Sequence, residues 1–268
     1  MTYEYETFSE AWFGELGRAM NEGEESSPRG MKTSELRWRQ FSVKDPMTFP
    51  VAAKGRTFRD AIGVLEAVSL VGQFSVPELF TSRFTKFGDF LDDGVFHGAY
   101  ATRAHGALGE LVSLLTADPD SRQGVISVFD STRDLNRAKR DIPCTVALHF
   151  MRRGQALELN VTMRSNDLWL GTPYDFTQFG VLQASIAQAL GLVPGLYVHS
   201  VGSLHLYERD LGSALRVLRP EQGPSLGFPL WHADDIAGIT KRARDLALAP
   251  DFFPRTGFEA WAWSMLHG

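Results

Sequence analysis

Arg164-Ser165-Asn166-Asp167-Leu168-Trp169-Leu170-Gly171-Thr172-Pro173-Tyr174-Asp175 is the stretch on which the reading of this chain turns. It sets an ordered row of polar groups, able to hold a nucleotide, ahead of an apolar helical pattern. Upstream stands Asp141-Ile142-Pro143-Cys144-Thr145, which carries the only cysteine of the sequence. Between them, residues 145–151 and 156–163 read as strands, and Gly154 with Gln155 supplies the turn of an antiparallel hairpin that begins just after the cysteine. From Asp175 onward Phe179, Leu182, Ile186 and Leu190 fall on one helical stripe, which Gly191 stops. Residues 197–207 return as a strand and set His205 and Tyr207 on one face of it.

Working outward, residues 125–129 read as a further strand and the polar, glycine-bearing stretch 21–32 as a loop. Leu36, Trp38, Gln40 and Ser42 alternate as in a strand. The spacing of Ile62, Leu65, Val68 and Leu70 predicts a helix over 58–72, ended by glycine. No repeat, low-complexity linker or composition break divides the chain, so one domain over 1–268 is expected. The mixture of strands and helices points to α+β layers.

The 268 residues suffice for one sizeable core. The net charge of −5 offers no overall basic field, so phosphate has to be met by a local arginine cluster and no nucleic-acid partner is expected. A lone cysteine forms no internal disulfide, although by itself such a residue is most often a small buried hydrophobe. No metal site is expected. No apolar run approaches the ~20 residues of a membrane span. The acidic opening Met1-Thr2-Tyr3-Glu4-Tyr5-Glu6 lacks the basic region of a signal peptide, so a cytoplasmic location without a membrane partner is expected.

The Pro143-Cys144 pair and the 164–175 segment together resemble the thymidylate synthase family, in which a Pro-Cys nucleophile precedes Arg-Ser-x-Asp-x-x-Leu-Gly-x-Pro-Phe-Asn. The resemblance implies a large twisted mixed sheet with helices on one face, its outer face pairing with a second subunit in a homodimer. It implies Cys144 as nucleophile and 5,10-methylenetetrahydrofolate as co-substrate. Carbon 5 of a pyrimidine is a poor nucleophile, and thiolate addition at carbon 6 turns the ring into an enamine-like species that reacts there. Arg164 and Ser165 fall on the family's phosphate-binding pair, and Arg29 resembles its mobile phosphate-clamping loop. Arg122, in Asp118-Pro119-Asp120-Ser121-Arg122, resembles an arginine that crosses the dimer interface to the neighbouring site. Forked guanidinium donors suit phosphate oxygens. Asp167 falls on the aspartate that hydrogen-bonds the pterin, with Gly171 in the same cofactor-binding segment. Glu66 falls on the glutamate that relays protons through water. His205 and Tyr207 fall on a His-x-Tyr pair that holds the ribose 3′-hydroxyl. The match is specific over about residues 118–207, looser over 29–98 and lost after about Arg209. Gln183 and Gln188 have no counterpart.

Departures from the family pattern carry as much information. Asp175 stands where the family has the asparagine that reads the base. A carboxylate only accepts hydrogen bonds, so it suits a cytosine protonated at N3 and repels the uracil O4. The branch with this aspartate comprises the cytidylate hydroxymethylases of phage DNA modification and nucleoside antibiotic pathways. His97 replaces a tyrosine, Thr145 replaces the histidine after the nucleophile, and Gln123 replaces a second arginine. Residues 99–103 and 264–268 match neither the tryptophan-rich segment nor the apolar carboxyl terminus that exclude water in methylating members. The resemblance therefore implies 5-hydroxymethylation of dCMP or CMP. A C5-methylating synthase acting on dCMP or dUMP, and an idle relative that binds nucleotide or RNA, stay open as alternatives.

Overall fold

The structure, a computed structural model, describes residues 3–135, 140–224 and 226–268; the first two residues of the acidic opening lie outside them. Its strands are β1 (Tyr3–Thr7), β2 (Glu24–Ser26), β3 (Thr33–Asp45), β4 (Ala52–Lys54), β5 (Val125–Ser127), β6 (Thr145–Arg153), β7 (Ala156–Met163), β8 (Asn166–Asp167), β9 (Val193–Tyr207) and β10 (Arg219–Glu221). The helices are α1 (Phe8–Glu22), α2 (Asp60–Gly72), α3 (Pro77–Arg83), α4 (Tyr100–Arg103), α5 (Ala107–Ala117), α6 (Ser131–Asp134), α7 (Gly171–Ala189), α8 (Glu208–Ala214), α9 (Ile236–Leu248) and α10 (Gly257–His267).

The main sheet runs β1-β3-β9-β7-β6-β5, with β2 added on β3 and β8 on β9. It is mixed: β7 runs parallel to β9, while β3 with β9 and β6 with β7 are antiparallel. Along β7 every second residue is buried, Leu157, Leu159, Val161 and Met163 facing the core. That alternation puts Asn160 on the other face, where Gln40 donates to Ser200 and Ser200 to Asn160, at 2.9 and 3.0 Å. The core face meets α1 and α7, and α2, α9 and α10 pack behind α7. From Thr172 to Ala187 every α7 residue except the half-buried Tyr174 is buried, which makes α7 the central helix. Among the described residues no helix is long and apolar enough to cross a membrane.

Three local readings change. The loop expected over 21–32 holds the end of α1, and β2 pairs there with β3. The helix expected from Asp175 begins four residues earlier, at Gly171, because Pro173 in a first turn gives up an N–H that has no helical partner. In β3 the alternation breaks at Trp38, whose φ of 54° swings it out of the ladder and leaves it 86% exposed.

Candidate active site

The β6–β7 hairpin brings a free cysteine and a cation together by register. Thr145 pairs with Met163, so the next residues outward, Cys144 and Arg164, meet at the open end, where the Arg164 N–H donates to the Cys144 carbonyl at 2.8 Å. The Arg164 side chain folds back over the cysteine loop. Its Nε donates to the Pro143 carbonyl and its Nη2 to the Ile142 carbonyl, both at 3.0 Å, and Nη2 lies 3.8 Å from Cys144 Sγ. Gly202 of β9 makes room for this turn, since a Cβ there would sit 2.9 Å from the Arg164 carbonyl oxygen. Burial pushes the Cys144 thiol up; Arg164 pulls it down, Asp175 and Asp141 push it up, and Arg29 pulls it down. Arg29 thus acts on the cysteine, from an exposed turn at Pro28–Gly30. Ser165 is half-buried between Arg164 and β8.

The short strand β8 aligns Asp167 with His205 of β9. Asp167 Oδ1 accepts from the N–H groups of Trp169 and Leu170 at 2.8 and 3.1 Å, so the carboxylate also fixes the turn into α7. Burial pushes this carboxyl up against those two N–H groups and His205. His205 and Tyr207 are both buried, and their rings meet edge to face at 5.1 Å. Gly171, the first residue of α7, is flanked by the side chains of Asn166, Asp167 and Asp175.

Asp175 is buried on α7, with Oδ2 accepting from Asn166 Nδ2 at 2.7 Å and Oδ1 from Gln178 Nε2 at 2.8 Å. Burial nevertheless pushes its carboxyl up to about 7. Glu66 on α2 is driven further, to about 8, by burial and then by the charge of Asp175. Tyr100 of α4 reaches the same place. Its hydroxyl accepts from the Thr145 N–H at 3.3 Å and its ring stacks on Phe179 at 6.0 Å; burial, Asp175 and Cys144 hold that hydroxyl well above the ordinary phenol range. His97 stands beside Asp141, whose carboxylate accepts from the Gly98 N–H at 2.7 Å. An open cavity lined by Val95, Phe96, His97, Arg103, Phe129 and Arg133 shares only His97 with the other predicted site residues.

The single chain therefore gathers Cys144, Arg164, Asp175, Glu66 and Arg29 into one electrostatic neighbourhood, with Asp167 and His205 joined to it through β8. Arg122 lies apart. Its side chain is exposed, and its carbonyl meets Nε2 of His149, which lies on β6 five residues on from Cys144. Sequence reasoning missed Asn166, Gln178, Tyr100, Tyr197 and His199. Gln178 carried a signal, being three residues after Asp175 on the same helix face. The other four carried none: Asn166 and Tyr100 find their partners on other elements, and Tyr197 and His199, two apart on β9, read as ordinary core residues.

The chain is 30% identical over 218 residues to a deoxyuridylate hydroxymethyltransferase of Bacillus phage SP01, covering 75% of this chain and 57% of that protein. It is 28% identical over 242 residues to the protein of the same name from Delftia phage PhiW-14, covering 83% and 67%. A third of that name, from Pseudomonas phage M6, is 27% identical over 172 residues, covering 61% and 49%. The chain thus spans roughly half to two thirds of the length of these curated relatives. The family model described as thymidylate synthase matches residues 72–248, well beyond Arg209, where the motif resemblance gave out, although Arg29 and Glu66 precede the match. A matched span of more than half the chain, holding the Cys144 hairpin, β8 and all of α7, makes this protein a member of the thymidylate synthase family.

Proposed function

We propose that this protein is a cytidylate 5-hydroxymethyltransferase, forming 5-hydroxymethyl-dCMP or 5-hydroxymethyl-CMP from the nucleotide, 5,10-methylenetetrahydrofolate and water. The observation that carries the reading is Asp175: a buried carboxylate with a donor already on each oxygen, close enough to the one cysteine for its charge to act there. Its remaining lone pairs accept from the amino group and the protonated N3 of cytosine. The Cys144 thiolate forms a bond to carbon 6, and carbon 5 becomes the nucleophile. Arg164 draws the thiol towards its charged form, and Arg164, Ser165 and Arg29 meet the phosphate. Glu66, protonated up to about 8, holds a proton that it exchanges with the base through water. His205 and Tyr207 hold the sugar, and His97 stands beside the base in place of a phenol.

The residues fit the folate. Trp169 is half-buried with the Arg56 guanidinium 3.9 Å over its ring, and Arg56 Nη1 is buried without a hydrogen-bond partner. Asp167 and Arg56 feel each other's charge, so a flat heteroaromatic ring with amino donors meets an aromatic wall, a carboxylate and a guanidinium with one unbonded nitrogen. When bound, the folate supplies an electrophilic one-carbon unit. Water then adds as hydroxide and proton, Cys144 leaves, and the nucleotide gains CH2O while tetrahydrofolate is released unoxidised.

Arg122 we assign to a second copy of the chain, in a homodimer joined through the sheet face that carries Gln40, Ser200 and Asn160. Support comes from its exposure and its distance from Cys144 in its own chain. Mixing Arg122→Ala with Cys144→Ala protein restores activity under this reading; no recovery in demonstrated hybrids removes it.

A second reading has one observation behind it: all three relatives carry the name deoxyuridylate hydroxymethyltransferase. An Asp175 protonated near pH 7 offers one donor and one acceptor, the pattern that suits uracil. Mass spectrometry of an equimolar mixture of CMP, dCMP, UMP and dUMP after incubation with methylenetetrahydrofolate separates them. A CH2O gain on a cytidine nucleotide without dihydrofolate supports the first reading, the same gain on a uridine nucleotide the second. A CH2 gain with dihydrofolate refutes both in favour of methylation.

A further inference from the structure

Behind Asp175 runs a buried chain of hydrogen bonds that the reaction as described does not use. Asn166 Oδ1 lies 2.8 Å from Thr172 Oγ1 and 3.0 Å from His199 Nε2. His199 Nδ1 in turn lies 2.9 Å from the Tyr197 hydroxyl. Asn166, Thr172, His199 and Tyr197 are all fully or almost fully buried, so water does not substitute for any of these partners.

Donor and acceptor bookkeeping leaves one arrangement. The Asn166 amide has its NH2 towards Asp175, because a carboxylate oxygen at 2.7 Å needs a donor. Its Oδ1 therefore only accepts, and His199 Nε2 must carry the proton. Burial drives the imidazole down to about 3, which keeps the ring neutral and leaves Nδ1 bare to accept from the Tyr197 hydroxyl. Phe41 and Phe176 pack on the ring at 5.2 and 5.4 Å. Turned over, the Asn166 amide would set its oxygen against the Asp175 oxygen and its NH2 against the Nε2 hydrogen. That form requires Asp175 to be protonated.

We propose that Tyr197 and His199 are positioning residues for base selection, locking the Asn166 amide in the orientation that keeps Asp175 an acceptor. This inference rests on the cytidylate reading and deepens it. Unlocked, Asn166 flips, Asp175 takes up a proton, and the site loses its preference for cytosine over uracil.

The test measures equilibrium binding of dCMP, CMP, dUMP and UMP by calorimetry, beside turnover, for the wild-type protein, His199→Phe, His199→Gln and Tyr197→Phe. His199→Phe removes the Nε2 donor and is expected to shrink the cytidylate-to-uridylate affinity ratio at least tenfold. His199→Gln returns an N–H near the Nε2 position and restores the ratio. Tyr197→Phe, which removes one oxygen from the core and threatens folding least, gives a smaller loss in the same direction. A general loss of folding lowers both affinities together and leaves the ratio unmoved, so the ratio isolates positioning. An unchanged ratio in His199→Phe and Tyr197→Phe proteins that still bind nucleotide at the wild-type stoichiometry, and so are folded, overturns the proposal, as does wild-type protein that binds uridylate better or binds neither nucleotide. Wild-type protein that forms no product while its binding ratio still answers to His199 overturns the enzymatic reading and leaves the positioning role standing.

Discussion

On the strand side of the site, Cys144, Arg164, Asp167 and His205 are placed by backbone pairing, through the Thr145–Met163 and Asp167–His205 registers. On the helical side, Glu66 and Tyr100 are placed by packing, α2 against α7 with Gly63 facing Thr177, and the Tyr100 ring against Phe179. A ladder position survives the loss of its side chain, whereas a packed position depends on the volume of every neighbour. The two sides also differ in charge. Arg164 and Arg29 compensate the strand side, while on the helical side burial pushes the carboxyls of Glu66 and Asp175 up to about 8 and about 7, and the charge of Asp175 adds to the rise at Glu66.

The largest effect tests the strand side. Cys144→Ala should lower kcat by about a thousandfold or more, with nucleotide binding retained because the backbone bond to Arg164 needs no sulfur. Turnover close to the wild-type rate would remove the covalent mechanism.

Glu66→Gln tests the helical side and should cost about a hundredfold or more in kcat. It carries a stability signature as well. The Glu66 pKa is raised from an ordinary 4.5 to about 8 in the fold, so the folded state binds the proton more tightly than the unfolded state between those values. Wild-type stability therefore falls as pH rises through that window. The variant lacks this fall, so its advantage in Tm over wild type should grow from pH 5 to pH 8; an advantage that stays constant with pH would mean Glu66 is not buried as a protonated acid.

Asp175→Asn changes the reader and leaves both sides standing. The ratio of kcat/KM for cytidylate over uridylate should fall by about a hundredfold, the value of one or two matched buried hydrogen bonds. An unchanged ratio would break the link between this carboxylate and the base.

Gly98→Ala probes the junction of the two sides. A Cβ at Gly98 would lie 2.8 Å from Asp141 Oδ1 and 3.0 Å from the backbone nitrogen of Pro143. The His97 segment should therefore be pushed from the cysteine loop, at a cost of about 1–3 kcal/mol in stability and a modest loss of kcat. Thermal unfolding with steady-state rates checks both, and an unaltered protein would mean that this junction has slack.

Much of this was legible in the residues. The hairpin, the alternation along β7, α7 and the Arg164–Asp175 row are local patterns, and local patterns survive translation into structure. Arg122 was legible as a motif residue, yet within one chain its carbonyl is held by His149, five residues along from Cys144. Tyr197 and His199 were not legible, since a tyrosine and a histidine two apart in a strand are ordinary core residues until β8 arrives with Asn166.

The residues by themselves determined the family and set out the Pro143-Cys144 pair and the Arg164–Asp175 row on which the proposed chemistry rests, because each is encoded within one short stretch whose spacing carries the geometry. Only the tertiary structure decided the state of those groups. Whether Asp175 and Glu66 hold protons depends on how completely they are removed from water. Which way the Asn166 amide faces depends on an imidazole 33 residues away in sequence. Dielectric and partner orientation are properties of the surroundings, and the surroundings exist only once the sheet has closed over α7.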